Sequence, residues 1–316
     1  MSAIAALWLA LAIDRWFGEP SARAHPVVWI GRYLGWAGRR IAPPAGAPAR
    51  ARAAFAGGAL AWCAGAALVA AAACALAEAA SRLPAWAGLL LTGIALKPLL
   101  AWRMLRDEVL AVEAALGRSL DEGRARLARL VSRDVDALDA LGVRESAIES
   151  LAENLNDSVV APLFWFALFG LPGAALYRFA NTADAMWGYR GEREGRQWTW
   201  AGQWAARADD LLSWLPARLT ALFLWGASTA RGAGFGTLRR EAGLTPSPNS
   251  GWPMAAMALR LGVRLGKPGV YVLNGEGRRP GSGDMPRAAR RGGQAVRAAV
   301  ALATLVFFVG EWVARG

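Results

Sequence analysis

Apolar and charged positions fall in long blocks along this chain rather than at alternate residues. Residues 53–77 carry no charge and are rich in Ala, Gly, Leu and Val. That run exceeds the roughly 20 residues a helix needs to cross a bilayer, and its small residues suit close helix packing in lipid. Residues 83–102 form a second apolar stretch, interrupted by Lys97-Pro98, and Arg82 and Pro84 predict a tight turn between the two. Residues 296–313 form a third, with Arg297 and Glu311 at its ends. Three further stretches are weaker. Residues 2–13 are apolar but short before Asp14, and lack the basic start and small-residue cleavage site of a removable signal peptide. Residues 158–177 are uncharged but broken by Pro162 and by Gly170-Leu171-Pro172-Gly173, and residues 211–230 contain Pro216 and Arg218.

Charge collects between these blocks. Residues 14–52 hold seven Arg and two acids, and residues 231–293 hold eleven Lys or Arg and three acids. The positive-inside bias places both on the cytoplasmic side. Residues 103–157 hold eight Arg and twelve Asp or Glu. Leu105, Val109, Val112 and Leu116 mark a helical stripe there. Leu127, Leu130 and Val131 continue it after a break near Gly117, and Leu138, Leu141 and Ile148 mark a third helical piece around Gly142. No alternating strand pattern or internal repeat is visible. The expected fold is an all-α integral membrane protein with several transmembrane helices and helical loops on the cytoplasmic side. It is read as one polytopic membrane domain over residues 1–316, with residues 103–157 as a helical insertion.

Composition sharpens this picture. Hydrophobic residues make up 55% and charged residues 19%, with sixteen Trp, which excludes a disordered chain. The net charge of +12 is carried by Arg between apolar blocks rather than on a soluble face, so a membrane is expected as partner and nucleic acid is not. Only Lys97 and Lys267 are lysines. Cys63 and Cys74 are about 16 Å apart on a helix, too far for a disulfide. One His and two distant Cys exclude a zinc pattern.

Five polar constellations stand out. In the first, Asp14, Glu19 and His25 lie at the edge of an apolar run, around the turn residues Gly18 and Pro20. This is either a membrane-edge loop with a surface His or a ligand and acid–base site. In the second, Glu149, Glu153 and Asp157 are spaced i, i+4, i+8 and share one face of a helix, with Asn156 and Glu145 near that stripe. Like charges at this spacing repel, so a cation is expected there. Mg²⁺ suits carboxylate and amide oxygens; a solvated helix face, or neutralisation by an Arg such as Arg144, is the alternative. The third contains Arg178, Asn181, Asp184, Tyr189 and Arg190, in which Arg offers a bidentate fork to carboxylate or phosphate. The fourth is Arg207-Ala208-Asp209-Asp210, followed by Arg218 one turn into an apolar segment. That is a functional position or a snorkelling side chain. The fifth is Ser247-Pro248-Asn249-Ser250-Gly251-Trp252-Pro253, a rigid turn whose backbone N–H groups either cradle an anion or simply close the turn. No phosphate loop of the Walker type, dinucleotide fingerprint or Ser-His-Asp order is present.

The stretches DRWFGEPSARAHPVVWIGR, ESLAENLNDSVVAPLFW, YRFANTADAMWGYR, ARADDLLSWLPARLTA and SPNSGWP, in that order from Asp14 to about Tyr271, resemble the signatures of the CobD/CbiB family of adenosylcobinamide-phosphate synthases. Five in sequence make the resemblance specific. The chain departs from the family pattern at Met254, where the pattern carries Glu. The resemblance implies a cobalamin-biosynthesis ligase that joins adenosylcobyric acid to (R)-1-aminopropan-2-ol phosphate, or to aminopropanol, as an amide. It implies ATP as co-substrate and Mg²⁺ as cofactor, the cobalt belonging to the corrinoid substrate. A carboxylate is a poor acylating agent, so phosphorylation by ATP to an acyl phosphate is expected first. On this reading Glu149, Glu153, Asp157 and Asp184 are metal ligands, with Glu153, Asp157, Asp184 and His25 in catalysis. Asp14, Asn154, Asn156, Arg178, Asn181, Tyr189, Arg190, Asp210, Arg218, Ser247 and Asn249 would bind substrate or ATP.

Topology constrains that assignment. If all six apolar stretches span, the third constellation lies opposite the other four. Re-entrant segments at residues 158–177 and 211–230, turning at Gly170–Gly173 and near Gly226, would return all five to one side. The expected location is the bacterial inner membrane, multi-pass, with the site facing the cytoplasm and a homo-oligomer or other corrinoid-pathway enzymes as protein partners. Two alternatives are a non-catalytic AmpE-like sensor, which should lose the acids, and a transporter, which should show paired discontinuous helices in repeated halves.

Overall fold

The computed structural model describes residues 2–47, 50–226 and 234–313. The last four residues of the 211–230 stretch and the first three of the basic loop that follows lie outside the described residues. The described residues are 73% helical. In chain order the helices are α1 (Ser2–Phe17), α2 (Pro26–Ile41), α3 (Ala51–Arg82), α4 (Ala85–Leu96), α5 (Trp102–Leu116), α6 (Leu120–Leu127), α7 (Ala140–Leu155), α8 (Ala161–Trp187), α9 (Gln203–Trp225), α10 (Phe235–Ala242), α11 (Gly251–Leu261) and α12 (Asp284–Val313). The only strands among the described residues are two short antiparallel pairs, β1 (Glu192–Arg193) with β2 (Arg196–Gln197) and β3 (Leu265–Lys267) with β4 (Tyr271–Leu273).

Four helical stretches are long and apolar enough to cross a membrane: Ala51–Arg82, Ala85–Leu116, Ala140–Trp187 and Asp284–Gly310. The three strongest apolar runs of the sequence overlap three of these stretches, the first lying wholly within Ala51–Arg82, and the fold is an all-α membrane protein. At 16 residues, α1 is about 24 Å long, short of a full crossing. The acidic stretch resolves into α5, α6 and α7, with Leu105, Val109 and Val112 buried as their spacing predicts.

The chain forms two compact units. The first comprises Met1–Ala101, Ala161–Leu212 and Ala303–Gly316; the second comprises Trp102–Val160 and Ser213–Leu302. In the first unit, Ile30, Leu34, Phe179, Trp187 and Trp198 form the centre of a core. The Trp187 indole donates to the Leu34 carbonyl at 3.1 Å, which satisfies the one polar atom that this burial would strand.

Helix α8 is broken where the sequence predicts. Gly170 has φ 64° and ψ −153°, a conformation open essentially only to glycine. A Cβ added at Gly173 would lie 2.4 Å from the carbonyl oxygen of Trp165. In a straight helix those two residues are about 12 Å apart along the axis, so the chain turns back on itself between them. Gly202 is tighter still: its Cβ would lie 1.6 Å from the Trp187 carbonyl oxygen, a backbone atom that cannot rotate away. Gly202→Ala should therefore cost about 1–3 kcal/mol through overpacking. The check is a lowered unfolding midpoint of the detergent-purified protein; an unchanged midpoint would show that the α8–α9 connection can relax.

Candidate functional site

The second unit gathers the most chemistry. Asp139 caps α7 by accepting from the Gly142 amide at 2.7 Å. At its other end α7 passes into a π-turn, Asn156–Val160. The sequence predicts Glu149, Glu153 and Asp157 on one continuous helical face, and the π-turn alters that register after Leu155. Such turns recur at functional sites. Asp157 still lies within the electrostatic reach of Glu153, and accepts from the Asn156 amide at 2.8 Å. Asn156 is buried, and its own oxygen accepts from the Thr220 hydroxyl at 3.1 Å.

A polar hollow of about 340 Å³ opens beside α7. Glu153 and Asn154 line it from α7, Arg133 from the preceding loop, Ser247 from the Ser-Pro-Asn-Ser turn, and Lys267 and Tyr271 from the β3–β4 hairpin. Strand alternation explains the last two. Leu265 and Leu273 are fully buried cross-strand partners, and Lys267 and Tyr271, also partners, lie two residues further on the same face, at its exposed end. Asn154 donates its amide to the Ser150 carbonyl at 2.9 Å, which leaves its side-chain oxygen as the group free to face a ligand. The Ser247 hydroxyl accepts from the backbone amides of Asn249 and Ser250, both at 3.2 Å.

Glu149 is buried, and Arg133 Nη2 lies 3.0 Å from its carboxylate. The expected neutralising arginine is thus Arg133; Arg144 is committed to Glu113, with its shortest contact 2.7 Å. Burial, then the neighbouring charge of Glu149, pushes the Tyr271 phenol above its ordinary value, so it stays a proton donor across the physiological range. Its hydroxyl lies 3.8 Å from the Sδ of Met254, which lines the same hollow. Arg218 does not snorkel to open solvent. It donates to Asn249 Oδ1 at 2.7 Å and to the Pro248 carbonyl at 3.2 Å, and its guanidinium covers the Trp214 ring at 4.5 Å. Arg218 therefore clamps the turn that presents Ser247.

The first unit holds the remaining polar positions. Lys97 is buried, with its ammonium 2.8 Å from Glu19 and 3.4 Å from Asp14. His25 Nδ1 accepts from the Val27 amide and caps α2, so the proton rests on Nε2, which faces Glu19 at 3.1 Å. Burial opposes ionisation of Glu19, but hydrogen bonds from His25 and Lys97 hold its carboxyl below the ordinary range. The first constellation is thus a buried ion network that ties α1 and α2 to the short 3₁₀ turn following α4. Along α8, Arg178 is buried and Asn181 is half-buried. Asp184 packs against Gly188, where any Cβ would meet its carboxylate oxygen at 2.0 Å. Arg193 stacks on the Tyr189 ring at 3.8 Å. Burial raises the Asp210 carboxyl above its usual value, with Arg190 opposing.

The four residues expected as metal ligands are divided between the units, Glu149, Glu153 and Asp157 in one and Asp184 in the other. Among the described residues no three His, Cys, Asp or Glu side chains form a ready-made metal cage. The donor set of the hollow nonetheless suits Mg²⁺, which takes one or two protein oxygens and completes its shell with phosphate and water. Glu153 and the Asn154 oxygen are such a pair. Sequence reading missed Arg133, Lys267 and Tyr271. Only Lys267 carried a signal: it is one of just two lysines in an arginine-rich chain, and both lie at polar sites.

Comparison with known proteins places these residues in context. A family model described as CobD/Cbib protein matches residues 7–303. A cobalamin biosynthesis protein CobD of Stutzerimonas stutzeri is 40% identical over 317 aligned residues, covering 96% of each chain. Probable cobalamin biosynthesis proteins CobD of Pyrococcus abyssi and Methanothermobacter thermautotrophicus are 40% and 38% identical, covering 91% and 86% of this chain and 91% and 87% of their own. No solved structure matches the chain.

Proposed function

The chain belongs to the CobD/Cbib family and serves cobalamin biosynthesis, and we propose that it is an ATP- and Mg²⁺-dependent ligase that forms the amide of adenosylcobinamide phosphate. The observation that carries this reading is the meeting of Glu153, Asn154, Arg133, Ser247 and Lys267 around one hollow, drawn from four separate stretches of the chain. Its volume lies in the range of small-ligand sites.

On this reading an oxygen of the corrinoid's free propionate attacks the γ-phosphorus of ATP, and the bond to the β–γ bridging oxygen breaks, releasing ADP. The amine nitrogen of the aminopropanol phosphate then attacks the acyl carbon, inorganic phosphate leaves, and one proton passes from nitrogen to a carboxylate of the Glu153–Asp157 pair. Arg133 and Lys267 balance the phosphoryl charge as it shifts. Ser247 and the turn that Arg218 clamps orient phosphate oxygens through hydroxyl and backbone donors. Glu153 and the Asn154 oxygen would hold Mg²⁺, which supplies neutralisation of the triphosphate. Retention of Glu149, Glu153 and Asp157 supports an enzyme over the sensor and transporter readings.

We further assign the protein to the bacterial inner membrane as a multi-pass enzyme with this site facing the cytoplasm. Single cysteines introduced at Ser247 and Tyr189 should both react with a reagent confined to the cytoplasm; labelling of the Tyr189 position from the periplasm would refute the shared orientation. The activity itself is tested with purified protein in detergent, adenosylcobyric acid, aminopropanol phosphate and Mg-ATP. The corrinoid should gain the mass of the amine less one water, with ADP released. A corrinoid of unchanged mass would rule out the ligase.

A further inference from the structure

Away from the hollow and the ion network, unmatched charge collects at the start of α12. Arg287, Arg290, Gln294 and Arg297 recur at three- and four-residue steps and so share one face of that helix. Arg290 and Arg297 are exposed and Arg291 is half-buried. Arg287 is committed to Asp284 at 3.2 Å, an acid that Arg278 also holds. Among the described residues Arg290, Arg291 and Arg297 make no salt bridge, and Arg291 donates to Gln294 at 2.9 Å. Arg260, Arg287 and Arg290 all act electrostatically on Arg291, so it stands among like charges. Two boundaries fix where this face meets lipid. Residues 298–310, which follow Arg297, carry no charge, and the apolar run of residues 83–102 ends at Trp102, immediately before Arg103. The boundaries meet in space. A Cβ on Gly292 would lie 2.7 Å from the Trp102 ring, and one on Gly293 would lie 3.5 Å from that ring and 3.8 Å from Arg297 Nη1. Arg297 thus sends its guanidinium one turn back along α12, away from the uncharged run, to the level of an indole. A snorkelling arginine beside an interfacial tryptophan marks a headgroup plane. On α5, Arg106 lies one turn beyond Trp102 on the same face, on the charged side of that plane, and shares Asp107 with Arg103.

We propose that the Arg290–Arg297 face of α12, with Trp102 beside it, is a binding ledge for an anionic phospholipid of the phosphatidylglycerol type. Arg290 and Arg297 hold its phosphodiester, and its acyl chains lie along the uncharged residues that follow. Seven residues separate the two arginines, about 10 Å along the axis, and the backward reach of Arg297 removes about half of that, so one headgroup can bridge them. Charge complementarity selects the anionic lipid. Arginines without a carboxylate gain from a phosphate edge, and a choline headgroup brings its own cation to oppose them. The change from guanidinium to hydrocarbon within one helical turn selects a lipid over a nucleic acid, which needs the basic face to continue. The ledge does not depend on the ligase reading.

The full chain in detergent is titrated with phosphatidylglycerol or phosphatidylcholine, and retained lipid is counted by native mass spectrometry. Phosphatidylglycerol should be held about tenfold more tightly or better. It should also raise the unfolding midpoint of the chain in nanodiscs above that in phosphatidylcholine alone, as a ligand of the folded state does. Arg290→Gln and Arg297→Gln should each weaken phosphatidylglycerol about fivefold, and Arg290→Lys and Arg297→Lys, which keep the charge, should retain most of the affinity. Both arginines are exposed and free of ion pairs, so the glutamine variants should match the parent midpoint in phosphatidylcholine; what should shrink is the rise that phosphatidylglycerol brings. Arg118→Gln with Arg129→Gln removes the same charge from ion-paired positions near α5 and α6 and should leave the affinity within about twofold. Equal affinity for the two lipids in the wild-type chain would overturn the ledge. So would an equal loss in the control pair, which would trace the attraction to net charge. A single-stranded oligonucleotide should leave bound phosphatidylglycerol in place; its displacement would assign the face to nucleic acid and end the proposal.

Discussion

Glu153→Gln should abolish amide formation, with a loss of at least about 100-fold in kcat, the lower end of what removing an acid–base group costs. The substitution keeps the shape of the side chain and removes its charge from the hollow that Arg133 and Lys267 share. In the proposed reaction that charge does two things: it helps to hold Mg²⁺ on the triphosphate, and with Asp157 it receives the amine proton. The variant should remain membrane-inserted and unfold at a midpoint close to that of the parent. Near-normal turnover would remove Glu153 from the mechanism. Glu149→Gln is the informative contrast. Arg133 already neutralises Glu149 at 3.0 Å, so the change should appear in stability, through an arginine left without its carboxylate, more than in the rate of a folded enzyme.

Lys97→Met should destabilise the fold more than Gly202→Ala or Glu149→Gln, by about 3–5 kcal/mol, because it leaves a buried ion cluster without its cation. Lys97 is only 3% exposed and is shared between Asp14, equally inaccessible, and Glu19. Methionine preserves most of the volume, so the loss reports charge rather than packing. Changing Asp14 to Asn and Glu19 to Gln alongside Lys97→Met should recover much of it, since a matched set of neutral groups carries no stranded charge. The measurement is denaturant or thermal unfolding in detergent; additive losses across the three positions would show that they do not act as a cluster. The network also predicts acid sensitivity. Glu19 has a folded-state pKa below its ordinary value, so it binds protons more weakly folded than unfolded. Its contribution to stability is complete above the ordinary glutamate range and is lost as pH falls through the lower, folded value. The Lys97→Met variant should lose that part of the acid dependence.

These two experiments separate what Asp14 and His25 do from what Glu153 does. The first constellation is open to a catalytic reading in the sequence, and in the structure its acids, histidine and lysine satisfy one another. His25 is doubly used, as cap of α2 and donor to Glu19. The second and fifth constellations come together at the hollow beside α7, and Arg218 of the fourth joins them through Asn249.

The sequence by itself determined the fold class, the family and the local breaks. An uncharged run of the length of residues 53–77 has few stable alternatives to a membrane helix, because only a helix or a closed barrel satisfies every backbone group in lipid. Gly170, followed by Leu171-Pro172-Gly173, predicted the reversal in α8 because the residues themselves dictate the local conformation there. The clustering of Glu149, Glu153 and Asn154 was equally legible, since helical period depends only on neighbours in the chain. Tertiary structure alone decided which distant groups meet them. Arg279 reaches Glu145 across 134 positions, and Lys267 and Tyr271 reach the acids only because β3 and β4 pair in a register that puts both on one face of the hairpin. No local pattern encodes such partners: periodicity tells which face of an element is covered, while the identity of the covering element depends on how the whole chain packs. The π-turn at Asn156–Val160 belongs to the same class, a change of helical pitch that nothing in its residue types announces.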